Sequence, residues 1–241
     1  MRILVFQHID CEHPGILRQF LAEDGIVWDA VELDAGDAIP RLEDYDVLWV
    51  MGGPMDVWDI EDCPWLVPEK RAIRRWVREL QRPFLGLCLG HQLLADALGG
   101  TCGPQRPPEI GILEVELTAE GKADPVFGNL PQRMKTLQWH SVRVAQAPGD
   151  AAVLASSGIC PVQAMRIGHN AYSMQYHVEI EPDTIPNWGC VPAYESALVK
   201  ARGPGAVTTL ANEARPLMES FTANARTIYD GFMSVAGAAP A

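Results

Sequence analysis

Apolar positions in the first hundred residues fall into short continuous runs. Between the runs, apolar residues recur every three or four positions. Arg2–Gln7, Val27–Leu33, Asp46–Met51 and Pro83–Leu87 are runs of the first kind and read as strands. The third is apolar without alternation, as a strand covered on both faces should be. Pro14–Asp24 carries a proline at its start and Gly25 just past its end, which predicts a helix. Glu69–Leu80 places Ile73, Trp76, Val77 and Leu80 on one stripe, with Arg71, Arg74, Arg75 and Arg78 largely elsewhere. Gly90–Leu98 reads as a helix closed by Gly99-Gly100. Strands alternating with helices predict a parallel sheet with helices on both faces.

The pattern changes after Gly100. Glu114–Leu117, Thr136–Trp139, Ala151–Ala155, Val162–Ile167 and Ala171–His177 read as shorter, more antiparallel strands between Pro/Gly turns. From Glu181 onward the chain reads as helical again. Tyr194–Lys200 and Leu210–Met233 carry that signal, divided by Gly203-Pro204-Gly205, and the last residues, Gly237–Ala241, are expected to fray. The expected organisation is one α/β domain over 1–181, with a helical extension over 182–241 packed on it.

Composition narrows the classes. The 241 residues are 48% apolar and carry 31 acidic against 19 basic side chains, a formal charge of −12. That is a globular composition, and its acidity argues against a nucleic-acid partner. No run approaches the roughly 18 apolar residues of a membrane span. The apolar stretch at the amino terminus is too short for a signal-peptide core, so export is not expected. Six cysteines without a C-x-x-C pair fit free thiols in a reducing cytoplasm. No Gly-x-Gly-x-x-Gly or P-loop run is present, so no nucleotide cofactor is expected on this chain.

The run Gly86-Leu87-Cys88-Leu89-Gly90-His91-Gln92 sets Gly-x-Cys-x-Gly where a predicted strand gives way to a predicted helix. A tight turn there holds the central side chain out at the sheet's carboxyl edge, as in a nucleophile elbow. The start of the helix is expected to favour the thiolate of Cys88. A thiol needs a base and the base an orienter. His177 and Glu179, two apart in an expected strand, point to the same face and can meet. Gly52-Gly53-Pro54 follows the third strand, and its backbone N–H groups, with that of Leu89, are candidate oxyanion donors.

These three segments together resemble the class I, triad-type glutamine amidotransferases over roughly Arg2–Glu181, and most closely the stand-alone glutaminase half of GMP synthase. Gly52-Gly53-Pro54-Met55, Pro64-Trp65-Leu66, Glu109-Ile110-Gly111 and Gln138-Trp139-His140 add to that likeness. The resemblance implies a three-layer, flavodoxin-like sandwich with a mostly parallel central sheet. It implies hydrolysis of glutamine's side-chain amide through a Cys88 thioester, without cofactor or metal. Ammonia would pass to a separate ATP-dependent synthetase. Gln92 would contact the amino-acid end of the substrate, and backbone near His140, Ser141 and Val142 its carboxylate. Two departures bear on the substrate: Tyr176-His177-Val178-Glu179 stands for Phe-His-Pro-Glu, and Trp139-His140-Ser141-Val142 for Trp-His-Gly-Asp, which removes an acid. A larger γ-glutamyl amide fits these changes equally well. A non-catalytic regulator keeping the fold is the remaining alternative.

Two other groups carry candidate chemistry. His8, Cys11 and His13 follow the first strand; they lack a second ligand pair for zinc and are expected at the cleft rim. The stretch from Trp58 to Trp65 reads either as a lid or as a surface loop anchored by its two tryptophans.

Overall fold

The structure is a computed structural model and describes residues 1–237. Its first half follows the predicted alternation: β1 (Arg2–Gln7), α1 (Leu17–Glu23), β2 (Val27–Glu32), β3 (Val47–Val50), α2 (Leu66–Arg75), β4 (Phe84–Leu87) and α3 (Leu89–Ala97). Helix α2 runs on into a π-helical turn over Trp76–Leu80. The second half holds β5 (Thr101–Leu117), α4 (Ala119–Ala123), β6 (Arg133–Gln146), β7 (Ala151–Ser156), β8 (Ala164–Ile167) and β9 (Ala171–Met174). The helices α5 (Thr184–Trp188), α6 (Pro192–Arg202), α7 (Ala206–Ala214) and α8 (Met218–Gly237) follow. Of the expected fraying tail, Gly237 ends α8 and the rest lies outside the described residues.

The nine strands form one sheet in the order β2-β1-β3-β4-β9-β8-β7-β5-β6. The five from β2 to β9 are parallel, in the flavodoxin-like order, and the four beyond are antiparallel. Side chains along β1 alternate between two cores. Ile3 and Val5 pack with α1 and α8 through Leu17, Phe20, Ile228 and Phe232. Leu4 and Phe6 pack with α2 and α3 through Ile73, Trp76, Leu89 and Leu93. A third core sits where Ile110, Leu137 and Trp139 of the β5–β6 hairpin meet Trp188, Tyr194, Leu198 and Leu210 of α5–α7. The carboxyl-terminal helices thus serve two cores: α8 closes a face of the sheet, while α5–α7 cover the hairpin.

Three expectations need correction. Two of the five short strands expected after Gly100, Glu114–Leu117 and Thr136–Trp139, belong to long ones: β5 and β6 pair from Thr101↔Gln146 to Glu116↔Arg133. The prolines at 104, 107 and 108 broke the pattern, and they fall where the register shifts between Pro104 and Glu109. Helix α1 starts three residues beyond Pro14, because Gly15 takes φ +48° and lies against the Glu179 carbonyl, leaving no room for a side chain. The strand expected to carry His177 and Glu179 ends at Met174. His177 then pairs once with Leu137 of β6, as its N–H crosses to that carbonyl at 3.0 Å.

Candidate active site

Strand β4 ends at Leu87 and α3 begins at Leu89, so Cys88 alone makes the turn. Its backbone stands at φ 51°, ψ −103°, a conformation that costs a residue with a side chain about 1–3 kcal/mol. The surroundings impose it. The Cys88 N–H donates to the Met174 carbonyl at 2.8 Å, and that of Gly90 to Met51 at 3.2 Å. A methyl group on Gly90 would lie 2.1 Å from the Val50 carbonyl oxygen, and one on Gly86 2.7 Å from that of Gly90. The two glycines are what let helix and strand close this tightly.

His177 neighbours Cys88, and the two buried side chains act on each other's charge. Its Nδ1 lies 2.7 Å from Glu179 Oε1. The other Glu179 oxygen accepts the Val178 N–H at 2.8 Å, and its backbone carbonyl accepts that of Ile16 at 2.8 Å. Trp188 packs edge-on against the imidazole at 4.5 Å between ring centres. Burial opposes the charged imidazole, but Glu179 and Cys88 outweigh it and hold its pKa well above the ordinary histidine value. Burial pushes the Cys88 thiol up, against the pull of His177. Burial thus works against the thiolate that the helix start favours, and His177 works for it.

A cavity of about 90 Å³ opens beside Cys88, lined by Gly53, Leu89, Gln92, His140, Ser141 and Val142 among others. Leu89 is the first residue of α3, where the N–H has no partner within the helix. Gly52 stands behind this wall. Its carbonyl accepts from His8 Nδ1 at 2.9 Å, and its Cα faces Glu12. The Gln92 amide donates to the Val142 carbonyl at 3.2 Å and to Gln175 Oε1 at 3.1 Å, while Gln175 donates to Cys88 Sγ at 3.7 Å. His140 Nδ1 also donates to the Val142 carbonyl, at 2.8 Å. The segments Glu109-Ile110-Gly111 and Gln138-Trp139-His140 prove to be cross-strand partners, residue against residue. His140 Nε2 comes within 3.1 Å of the Glu109 carboxylate, although off the angle of a hydrogen bond.

The other candidate groups fall elsewhere. His8 is buried, not at the rim, with Nε2 2.9 Å from Glu69, which together with Gly52 and Glu12 raises its pKa against burial. His13 accepts the Gly15 N–H at 3.1 Å, and burial pushes the Cys11 thiol up to about 11. These three do not form a metal site. Among the described residues, the acid–imidazole group close enough to hold an ion is Glu12, His177 and Glu179. Trp65 packs against the core beside α2 and α3, whereas Trp58 is exposed.

The family model of class-I glutamine amidotransferases matches residues 9–185. The chain belongs to this family. A glutamine-hydrolyzing GMP synthase of Aeropyrum pernix is 36% identical over 66% of this amidotransferase, which spans 30% of that relative's length. The amidotransferase-like protein YfeJ of Salmonella typhimurium is 27% identical over 88% of both chains. The crystal structure of a glutamine amidotransferase from Thermotoga maritima superposes with a TM-score of 0.85 at 26% identity, covering 96% of this chain and 97% of that one. The family model ends before α6, yet the Thermotoga chain is matched over nearly the whole length, so the carboxyl-terminal helices belong to a shared architecture.

Sequence reasoning missed two residues of this amidotransferase's site. Glu12, on the loop after β1, is buried and near both His177 and Glu179. Its Oε1 accepts from the Tyr194 hydroxyl of α6, and its Oε2 has no partner. Burial pushes Glu12 up against the opposing pull of His177. Tyr194 also lines the cavity, so α6 touches both the space beside Cys88 and the groups behind it.

Proposed function

We propose that this amidotransferase hydrolyses the γ-amide of glutamine, with Cys88 as nucleophile, His177 as base and acid, and Glu179 as its orienter. The observation that carries this reading is a strained Cys88 facing an imidazole whose other nitrogen is fixed 2.7 Å from a carboxylate. His177 takes the thiol proton as sulfur adds to the γ-carbonyl, then gives it to the departing ammonia. Water repeats the sequence on the glutamyl thioester. The N–H groups of Gly53 and Leu89 receive the developing oxyanion, each typically contributing about 3–4 kcal/mol in the transition state. Asp56 lines the same cavity and offers the substrate's ammonium group the carboxylate that Val142 cannot. Residues 182–237 act as an extension on the catalytic domain, with α6 as a wall of the site.

Ammonia then goes to a separate ATP-dependent synthetase in the cytoplasm. The likeness to a glutamine-hydrolyzing GMP synthase subunit of Sulfolobus acidocaldarius, 31% identical over 64% of this chain, supports that partner class. The test is direct trapping. Incubation with glutamine, acid quench and mass spectrometry should show a glutamyl adduct on Cys88 and free glutamate in solution. Cys88→Ala, still folded by circular dichroism, should give neither. Full glutaminase activity in Cys88→Ala would overturn the mechanism.

A further inference from the structure

The cavity beside Cys88 does not end at its mouth. It shares Asp56, Ile110, Ser141, Val142, Ala193 and Ala197 with an outer chamber of about 980 Å³. On the inner side there is no comparable room, because His177, Glu12 and Trp188 are buried and Tyr194 stands over Glu12. A substituent on the amide nitrogen must therefore turn outward along α6. That helix lines the route with Ala193, Ala197 and Ala201 at four-residue spacing, so one helix face leaves the way open.

The chamber is equipped to hold what arrives. Gln105 lines it and is 2% exposed; its Nε2 donates to the Pro107 carbonyl at 3.2 Å, and its Oε1 has no partner. An unpartnered buried carbonyl oxygen takes an N–H, which the ligand's amide brings; the carboxylate, itself an acceptor, must be met elsewhere. Arg106 and Lys200 stand on the same walls, and neither is held in an ion pair by another described residue. Trp58, Pro107 and Pro108 supply apolar surface between them. Against the one carboxylate on these walls, Asp56, two untied cations leave the lining net positive in a chain of net charge −12, which favours an anionic guest.

We propose that this chamber receives the amine portion of γ-glutamyl amides that end in a carboxylate, γ-glutamyl amino acids being the simplest, as a second substrate class beside glutamine. The inference rests on the Cys88 hydrolase reading. Sulfur adds to the γ-carbonyl carbon, and the C–N bond breaks as His177 delivers its proton to nitrogen, so the amino acid leaves with a free amine. Water adds to the thioester, the C–S bond breaks, the proton returns to sulfur, and glutamate departs. One water is consumed per amide and nothing is oxidised or reduced.

The experiment compares the full chain on glutamine, γ-glutamylglycine and γ-glutamylethylamide, the last two alike in length but differing in the carboxylate. The expected kcat/KM for γ-glutamylglycine is about tenfold or more above that for the ethylamide. The double variant Arg106→Ala/Lys200→Ala should erase that preference through KM and leave glutamine turnover unchanged. Ser196→Trp, which fills the chamber from exposed α6 surface, should suppress γ-glutamylglycine alone. Turnover of glutamine with no preference for γ-glutamylglycine, or equal loss on all substrates in the variants, overturns the chamber assignment and leaves the glutaminase standing. No turnover of any of the three overturns both.

Discussion

The parallel and antiparallel halves of the sheet contribute different things to one site. From the parallel half come the groups proposed to react: Gly53 after β3, Cys88 after β4, and His177 and Glu179 beyond β9. From the antiparallel hairpin and the helices on it come the walls: Ile110, Trp139, His140, Val142 and Tyr194. Gly53 and Cys88 are fixed by neighbouring strand ends, where ligands gather in open α/β sheets, while His177 is tied beyond its strand by the bridge to Leu137 and by Trp188. The second set is fixed by side-chain packing between elements far apart in sequence. The proposed reaction and its selectivity are therefore held largely by different kinds of structure and should fail separately.

The largest break expected is His177→Ala. Loss of the base should lower kcat on glutamine by about 10⁴, with little change in KM. Glu179→Gln should cost less, about 10² in kcat, because the imidazole keeps a hydrogen-bond acceptor but loses its counter-charge. A larger loss for Glu179→Gln than for His177→Ala would mean the roles are misassigned. Tyr194→Phe tests the point where the halves meet. It removes the donor to Glu12 while keeping the ring against Trp139 and Trp188, and should lower kcat about tenfold and alter the pH–rate profile. An unchanged pH profile would reduce Tyr194 to a packing role.

The smallest effect concerns acid stability. His91 of α3 is buried between Ser173 Oγ at 2.8 Å and the Val162 carbonyl at 3.1 Å, and burial depresses its pKa to about 3. Unfolded, it titrates near the ordinary 6.5, so between these values the unfolded chain binds the extra proton. Its contribution is complete above pH 6.5 and is lost as pH falls toward 3, by at most about 1.4 kcal/mol per unit. Denaturant midpoints from pH 6.5 to 5 should fall less steeply for His91→Gln than for the parent chain.

Much of this was legible in the sequence, unevenly. The elbow could be read because strand, turn and helix are contiguous and the two glycines mark the tight approach. The pairing of His177 with Glu179 was anticipated, although for the wrong local reason. The chain leaves β9 at Met174 and makes a single bridge to Leu137, and Gly15 and Ile16 press against the Glu179 backbone instead of a strand holding it. The extent of β5 was hidden because prolines interrupt a strand pattern even where a bulge accommodates them. Glu12 and Tyr194 carried no local signal, since their bond joins the loop after β1 to a helix 182 positions later.

Gly90 carries one last consequence. Its backbone is pressed onto Val50 and bonded to Met51, so the helix bearing the sulfur and the strand feeding the Gly52-Gly53 loop are effectively welded. Neither can shift without dragging the other, and the reactive geometry is frozen against gradual remodelling. Helix α6 has no such weld along Ala193, Ser196 and Ala197, where side chains face open space. New preferences among substrates can accumulate there by ordinary surface drift, while the chemistry underneath stays put.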